Sequence, residues 1–276
     1  GAMITHGALT HMLFNVKKFT HNAFNDDDRT LTFLPLSHVF GRAETMLPML
    51  FGLECVYAES IDKILENISI VRPTLLMAVP RIFEKIYAKV YDQVDNSSVV
   101  TKKLFYWAVN VGSSYHDTIA MDKAPTSKQV IEYQLAYKLV FKKIYDKFGG
   151  RIRYFISGGA PLASEVIKFL RNANLTILEG YGLTETVAPC CLNPLSKQIP
   201  GTVGRPIGDV ELKFASDGEI FIKSQAMFSG YYKNEDATNE VLKDGWFASG
   251  DIGHFTTEGY LKITDRKKDI IITLAK

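Results

Sequence analysis

Ile177-Leu-Glu-Gly-Tyr-Gly-Leu-Thr-Glu-Thr186 is the stretch around which the rest of the chain is organised. Leu175 to Leu178 reads as a short apolar strand that breaks at Gly180, and the turn beyond it presents Tyr181, Thr184 and Glu185 side by side. An aromatic face, a hydroxyl and a carboxylate on one glycine-bracketed turn suit a base, a phosphate and a metal. Two strand ends whose glycines merely supply positive φ would look the same locally. The surrounding chain decides between the two.

Upstream, a second glycine turn, Ser157-Gly-Gly-Ala-Pro161, closes another strand, Arg153 to Ser157, with Pro161 placed to open the following helix at N1. Earlier still, Ala8 to Phe19 and Ala43 to Leu50 read as helices, and Thr30 to Leu34, Glu54 to Ala58 and Thr74 to Val79 as strands. Ile61, Ile64, Leu65, Ile68 and Val71 recur at helical spacing behind Ser60 as N-cap; Phe83, Ile86, Tyr87, Val90, Tyr91 and Val94 form a second stripe. Residues 95–148 are lysine- and aromatic-rich and predict two long helices, Val100 to Tyr115 and Lys128 to Phe148. Strands and helices thus alternate to Glu179, the pattern of an α/β fold with a mainly parallel sheet layered with helices.

Downstream the period changes. Val210 to Phe214 and Glu219 to Lys223 flank Ala215-Ser-Asp-Gly218, a hairpin signal, and short strands with glycine turns follow. The expected domains are residues 1–199, α/β with the helical section 95–148, then a small β subdomain over 200–264, then a hinge over 265–276.

Composition narrows the function. The chain of 276 residues is 46% hydrophobic and 22% charged with a net charge of +2, so nothing in bulk favours nucleic acid or a charged surface. Its three cysteines, Cys55, Cys190 and Cys191, form no C-x-x-C pair and no disulfide framework. Cys190 and Cys191 read as buried small hydrophobes. Met46 to Leu53 is too short to span a bilayer. Zinc and EF-hand motifs, Walker A, G-x-G-x-x-G and G-x-S-x-G are all missing. Chemistry is left to the two glycine turns, to His38 in a proline-flanked loop, and to Gly245-Trp-Phe-Ala-Ser-Gly-Asp-Ile-Gly253 with the charged run Asp265-Arg-Lys-Lys-Asp269 after it.

Tyr181-Gly-Leu-Thr-Glu-Thr186, Ser157-Gly-Gly-Ala-Pro-Leu162, Gly230-Tyr-Tyr232, Trp246-Phe-Ala-Ser-Gly-Asp251 and Asp265-Arg-Lys-Lys-Asp269 occur in the order and spacing of one family. The chain resembles the ATP-dependent, adenylate-forming acyl-CoA synthetases from Gly1 to Lys276. Leu34-Pro-Leu-Ser-His-Val-Phe40 and Val79-Pro-Arg-Ile-Phe-Glu-Lys85, with the helical section that ends at Gly149-Gly150, resemble the long-chain fatty acid branch.

The resemblance implies that a carboxylate joins the α-phosphate of ATP, pyrophosphate leaves, and the CoA thiol then displaces AMP. Bringing an anion onto a polyanion makes charge neutralisation and positioning the main demands. By resemblance Glu185 holds Mg²⁺, Thr184 bonds the phosphate and Tyr181 lies against the adenine. Gly158, Gly159 and Ala160 line the other side of the base, with Glu179, Gly180 and Gly182 completing the nucleotide site. Asp251 accepts both ribose hydroxyls and Arg266 reaches the same sugar. His38 sits by the reacting groups, Phe83 by the mouth of an acyl tunnel, and Asp265 and Lys268 in the hinge. For His38 a plain loop histidine, and for Phe83 an ordinary core residue, are the competing readings.

The resemblance also implies a core truncated at both ends. Gly1-Ala-Met-Ile-Thr-His6 matches the tail of the family's phosphate-gripping loop, and the domain carrying the catalytic lysine would follow Arg266. Little or no ligase activity is expected of this piece by itself. The expected partners are a fatty acid, ATP or AMP, and CoA, without nucleic acid, in the cytoplasm with peripheral membrane contact allowed. The alternatives are a synthetase for another carboxylic acid or a carrier-protein acceptor, and a non-catalytic acyl- or nucleotide-binding module.

Overall fold

The computed structural model describes residues 1–21 and 23–267. In chain order these form α1 (His6–Phe19), β1 (Arg29–Thr32), α2 (Val39–Phe51), β2 (Glu54–Tyr57), α3 (Ile64–Val71), β3 (Leu75–Ala78), α4 (Pro80–Asp95), α5 (Val99–Ala120) and α6 (Ser127–Ala136). A π turn (Tyr137–Phe141) leads into α7 (Lys142–Lys147), then β4 (Tyr154–Ser157), α8 (Ser164–Asn172) and β5 (Thr176–Tyr181). The remainder is β6 (Cys191–Leu192), β7 (Arg205–Pro206), β8 (Glu211–Phe214), β9 (Glu219–Lys223), α9 (Glu235–Val241), β10 (Leu242–Lys243), β11 (Trp246–Phe255) and β12 (Leu261–Arg266). Among the described residues no helix is long and apolar enough to cross a membrane.

Contacts divide the chain into two units. One takes residues 25–35 and 52–178; the other takes 1–24, 36–51 and the chain from Glu179 onward. The sequence places its boundary at 200, but contacts group α1 and α2 with the β-rich part, because long-range pairing rather than local period assigns them.

The α/β unit is built on parallel strands in the order β2-β1-β3-β4, with β5 beside β4. Leu75 pairs Tyr154 and Ala78 pairs Ser157 in register, and β3 is buried along its whole length, as a strand covered on both faces must be. Its helices meet through aromatic rings. Tyr91 of α4 stands edge-on to Phe105 of α5 at 5.2 Å, and Tyr87 to Phe169 of α8 at 5.3 Å. Asp28, 1% exposed, organises the lower ends of three strands. Arg153 Nη1 donates to both of its oxygens at 2.8 Å, Thr74 Oγ1 to Oδ1 at 2.6 Å and the Asn25 N–H to Oδ2 at 3.1 Å.

The β-rich unit holds a five-stranded antiparallel sheet, β10-β11-β9-β8 with β12 on β11. The expected hairpin is present, Phe214 pairing Ile220 across the Ala215–Gly218 turn. Tyr181, Cys190, Cys191, Phe228, Phe247 and Leu261 meet in its core. All three cysteines are free.

Several local expectations are corrected. Ser60 is not the N-cap of α3: a turn closed by Lys63 N–H on the Ser60 carbonyl intervenes, and Lys63 takes the cap position. Pro161 lies in the loop before α8, whose N-cap is Ala163. The strand before the central turn runs through Gly180 to Tyr181, since both residues pair with β6. The long helix expected over 128–148 is interrupted by the π turn.

Asp28→Ala should leave Arg153 and Thr74 without their buried acceptor. Urea denaturation should show a loss of about 3 kcal/mol, the lower end for a broken buried pair because Arg153 is partly solvated. An unchanged midpoint would remove Asp28 as the organiser of these strands.

Candidate functional site

The β-rich unit brings together three of the expected residues through one carboxylate. Asp251, 5% exposed, lies on β11 opposite Arg266 of β12. Tyr181 ends β5 and its hydroxyl donates to Asp251 Oδ2 at 2.7 Å, while Arg266 Nε donates to Oδ1 at 3.0 Å. Burial, then the neighbouring Cys190 and Asp251, push the Tyr181 phenol far up, so it stays a donor. A carboxylate offers about four acceptor positions, so two remain for a diol after both internal donors are satisfied. Arg266 is thus set against Asp251 by strand register, and Asp265 too lies inside β12, its Oδ1 accepting the Arg266 N–H at 2.7 Å. Lys268 lies outside the described residues.

The turn after Tyr181 is shaped by its own backbone. A Cβ at Gly182 would stand 2.8 Å from Ala188 Cα, so only glycine lets the chain fold back this closely. Thr186 Oγ1 accepts the Leu183 N–H at 2.9 Å and donates to the Leu183 carbonyl at 3.1 Å, closing the loop. Thr184 is left exposed and Glu185 half-buried. Tyr181, Thr184 and Glu185 therefore do not act as one row: Tyr181 turns into Asp251, Thr184 faces water, and Glu185 Oε1 accepts the Tyr231 hydroxyl at 2.7 Å. Burial and the Glu185 carboxylate raise the Tyr231 phenol, keeping its proton.

Glu179 is buried, its Oε2 accepting the Gly201 N–H at 3.2 Å while its carbonyl accepts the Asn193 N–H at 2.9 Å. Burial raises its carboxyl to about 7 against the Gly201 hydrogen bond, which pulls the other way. His38 precedes α2, exposed, with its carbonyl accepting the Arg42 N–H.

In the α/β unit, Gly158 and Gly159 follow β4. Gly159 has φ +85°, and a Cβ there would meet only Val79 Cγ1 at 4.0 Å, so backbone sign rather than space demands glycine. The Ser157 hydroxyl, 2% exposed, has no hydrogen-bond partner among the described residues, and Gly159 and Ala160 are exposed beyond it. Phe83 is fully buried, edge-on to Phe155 at 5.2 Å, in the unit's core.

Sequence reading missed the partner of Glu185. Gly230-Tyr-Tyr232 was visible as a motif, but nothing along the chain links Tyr231 to a carboxylate 46 residues away. Among the described residues no three potential metal-ligating side chains cluster. A cation at Glu185 would therefore need water and phosphate oxygens, which is how Mg²⁺ is commonly held, and the single carboxylate fits that demand.

Residues 1–232 match the family model described as AMP-binding enzyme. The chain belongs to that AMP-binding enzyme family. It is 34% identical over 274 residues to the long-chain-fatty-acid–CoA ligase FadD15 of Mycobacterium bovis, covering 99% of this chain and 45% of that protein. It is 35% identical over 289 residues to long chain acyl-CoA synthetase 3 of Arabidopsis thaliana, covering 98% of this chain and 42% of that one. The chain thus spans less than half the length of these curated relatives. Among solved structures, a Mycobacterium tuberculosis fatty acyl CoA synthetase superposes with TM-score 0.69 at 24% identity, covering 99% of this chain and 46% of that one. O-succinylbenzoate coenzyme A synthetase (MenE) from Bacillus subtilis, solved with ATP and magnesium ion, gives 0.69 at 20%, covering 99% and 48%. These two establish the fold.

The Glu179 carboxyl yields a pH test. It holds its proton in the folded chain up to about 7 but releases it near its ordinary 4.5 when unfolded. Stability therefore falls as pH rises through that window, by on the order of 3 kcal/mol. Glu179→Gln should flatten this part of a denaturation-versus-pH profile; an unaltered slope would show that Glu179 is not its source.

Proposed function

We propose that this chain is the nucleotide-binding core of a long-chain fatty acid:CoA ligase, which activates a fatty acid to its acyl-AMP with ATP and Mg²⁺ and then forms the CoA thioester. The observation that carries the reading is the buried Asp251 carboxylate. It is held between Tyr181 and Arg266 in a chain of the AMP-binding family whose relatives are named long-chain ligases.

In this reading Asp251 accepts the ribose hydroxyls with its remaining lone pairs, and Arg266, already fixed on Asp251, reaches the same sugar. Tyr181 offers the adenine its ring while its hydroxyl stays on Asp251. By resemblance alone Gly158, Gly159 and Ala160 are assigned to the nucleotide, and Gly180 and Gly182 allow close backbone approach. Glu179 holds the loop at Gly201. Exposed Thr184 donates to a phosphate oxygen, and Glu185 lends one oxygen to Mg²⁺, which supplies charge neutralisation as the carboxylate approaches the α-phosphate. His38 positions the reacting carboxylate, Phe83 borders the acyl path, and Asp265 and Lys268 belong to the hinge. The whole enzyme works in the cytoplasm, with peripheral membrane contact allowed.

Binding separates these roles. With a fluorescent nucleotide and the purified chain, Asp251→Asn should weaken AMP and ATP alike by tenfold or more, since hydrogen bonds to a charge contribute about 1.5–3 kcal/mol. Glu185→Gln should remove the magnesium-dependent part of ATP affinity and spare AMP. Pyrophosphate release by an enzyme of the relatives' full length containing this chain, assayed with short to long fatty acids, tests the substrate. Release with an aromatic acid but not with long fatty acids would overturn the long-chain reading.

A further inference from the structure

We propose that Tyr231 is a positioning residue for Glu185: its phenol occupies Oε1 and thereby presents the other carboxylate oxygen to the divalent cation that accompanies ATP. The inference rests on the reading of Glu185 as that cation's ligand. Tyr231 donates to Oε1 at 2.7 Å, and no further donor to the Glu185 side chain occurs among the described residues.

The segment carrying Tyr231 is fixed on every side. Its own N–H donates to Thr238 Oγ1 at 2.9 Å, and its ring stands edge-on to Phe228 at 5.0 Å. Residues Gly1 to Met3 pair with it as a short antiparallel bridge, Ala2 opposite Tyr231. In that bridge Met3 N–H donates to the Gly230 carbonyl at 2.9 Å, Ser229 N–H to the Met3 carbonyl at 2.9 Å and Tyr232 N–H to the Gly1 carbonyl at 2.8 Å. The same segment grips Glu185 a second time, through the Phe228 N–H on the Glu185 carbonyl at 2.8 Å. Backbone and side chain of Glu185 are therefore both referenced to one rigid stretch.

That double hold matters because Glu185 sits half-buried on a loop, outside any cluster of three ligating side chains among the described residues. A carboxylate free to rotate would lose orientational entropy on meeting the cation, whereas one already fixed by a phenol does not. A hydrogen bond that served only to staple the turn would leave cation binding untouched, which gives the discriminating measurement.

Affinities of a fluorescent ATP analogue, with saturating Mg²⁺ and with chelator, and of the AMP analogue are compared for the purified chain and its variants. Tyr231→Phe should cut the magnesium-dependent gain in ATP affinity by about tenfold, as losses of partners behind a metal ligand do. AMP affinity and melting temperature should hardly change. Tyr231→Leu is the second hydroxyl-free variant should the first fail to fold. In a Glu185→Gln background, Tyr231→Phe should add nothing, since both changes remove one coupled interaction. Tyr232→Phe, at an exposed neighbouring ring, should behave as wild type. A full magnesium gain in Tyr231→Phe overturns the positioning role. Absence of any gain in the wild type, or its survival in Glu185→Gln, overturns the reading of Glu185 instead.

Discussion

A carboxylate taken out of water must find donors, and the β-rich unit is arranged around that requirement at Asp251. Tyr181 reaches it from β5, 70 residues away in sequence, and Arg266 from the neighbouring strand. The three strands cannot shift independently without leaving a buried charge unpaired. The group best suited to grip a diol is consequently fixed before any ligand arrives, with the aromatic ring that would flank a base tied to it by a hydrogen bond. On the proposed reading, fold stability and ligand recognition make the same demand on one side chain.

The rule recurs where recognition is not at stake. Asp28 gathers Arg153, Thr74 and Asn25 at one end of the parallel sheet. Asp209 gathers its donors from α1 and from the loop after β9. Burial alone would push its carboxyl up, but the Gln225 N–H, Asn15, Ser224 and His11 outweigh it and hold it at about 2. Asn15 Nδ2 donates at 2.7 Å and His11 Nε2 lies 3.0 Å away, so α1 is anchored to the β-rich unit through polar atoms as well as apolar ones. The grouping of an N-terminal helix with strands near the far end of the chain thus has a specific chemical cause.

What could be read in advance follows from the range of the cause. The β8–β9 hairpin was legible because a glycine turn between alternating strands is a local signal, and α4 because its stripe repeats over a long helix. The π turn at Tyr137–Phe141 was not, for nothing in local propensity separates it from an α-helix through the same residues. Pro161 and Ser60 misled for a related reason: each has the right chemistry for a helix start, but irregular residues after Pro161 and a turn after Ser60 move the start to Ser164 and Ile64. At the candidate site the residue types were visible in Tyr181, Glu185, Asp251 and Arg266. Their pairing was not, since Tyr181 with Asp251 and Glu185 with Tyr231 join strands and loops whose adjacency only tertiary structure determines.

The two ends of the site differ in kind, and the difference has a consequence for binding. Tyr181 and Asp251 are buried and joined by a hydrogen bond, the pair to which the proposed reading assigns base and sugar. On the loop beyond them Thr184 is exposed and Glu185 half-buried, and no cluster of three ligating side chains supports Glu185 among the described residues. On the proposed reading, a hard cation finds too few protein oxygens there to bind by itself, and completes its shell with phosphate oxygens and water. Cation and nucleotide must then bind as a coupled pair, each raising the affinity of the other by the same factor. On the same reading the buried end holds the base and sugar, while the loop end, with Glu185 oriented by Tyr231, sets how strongly the metal contributes.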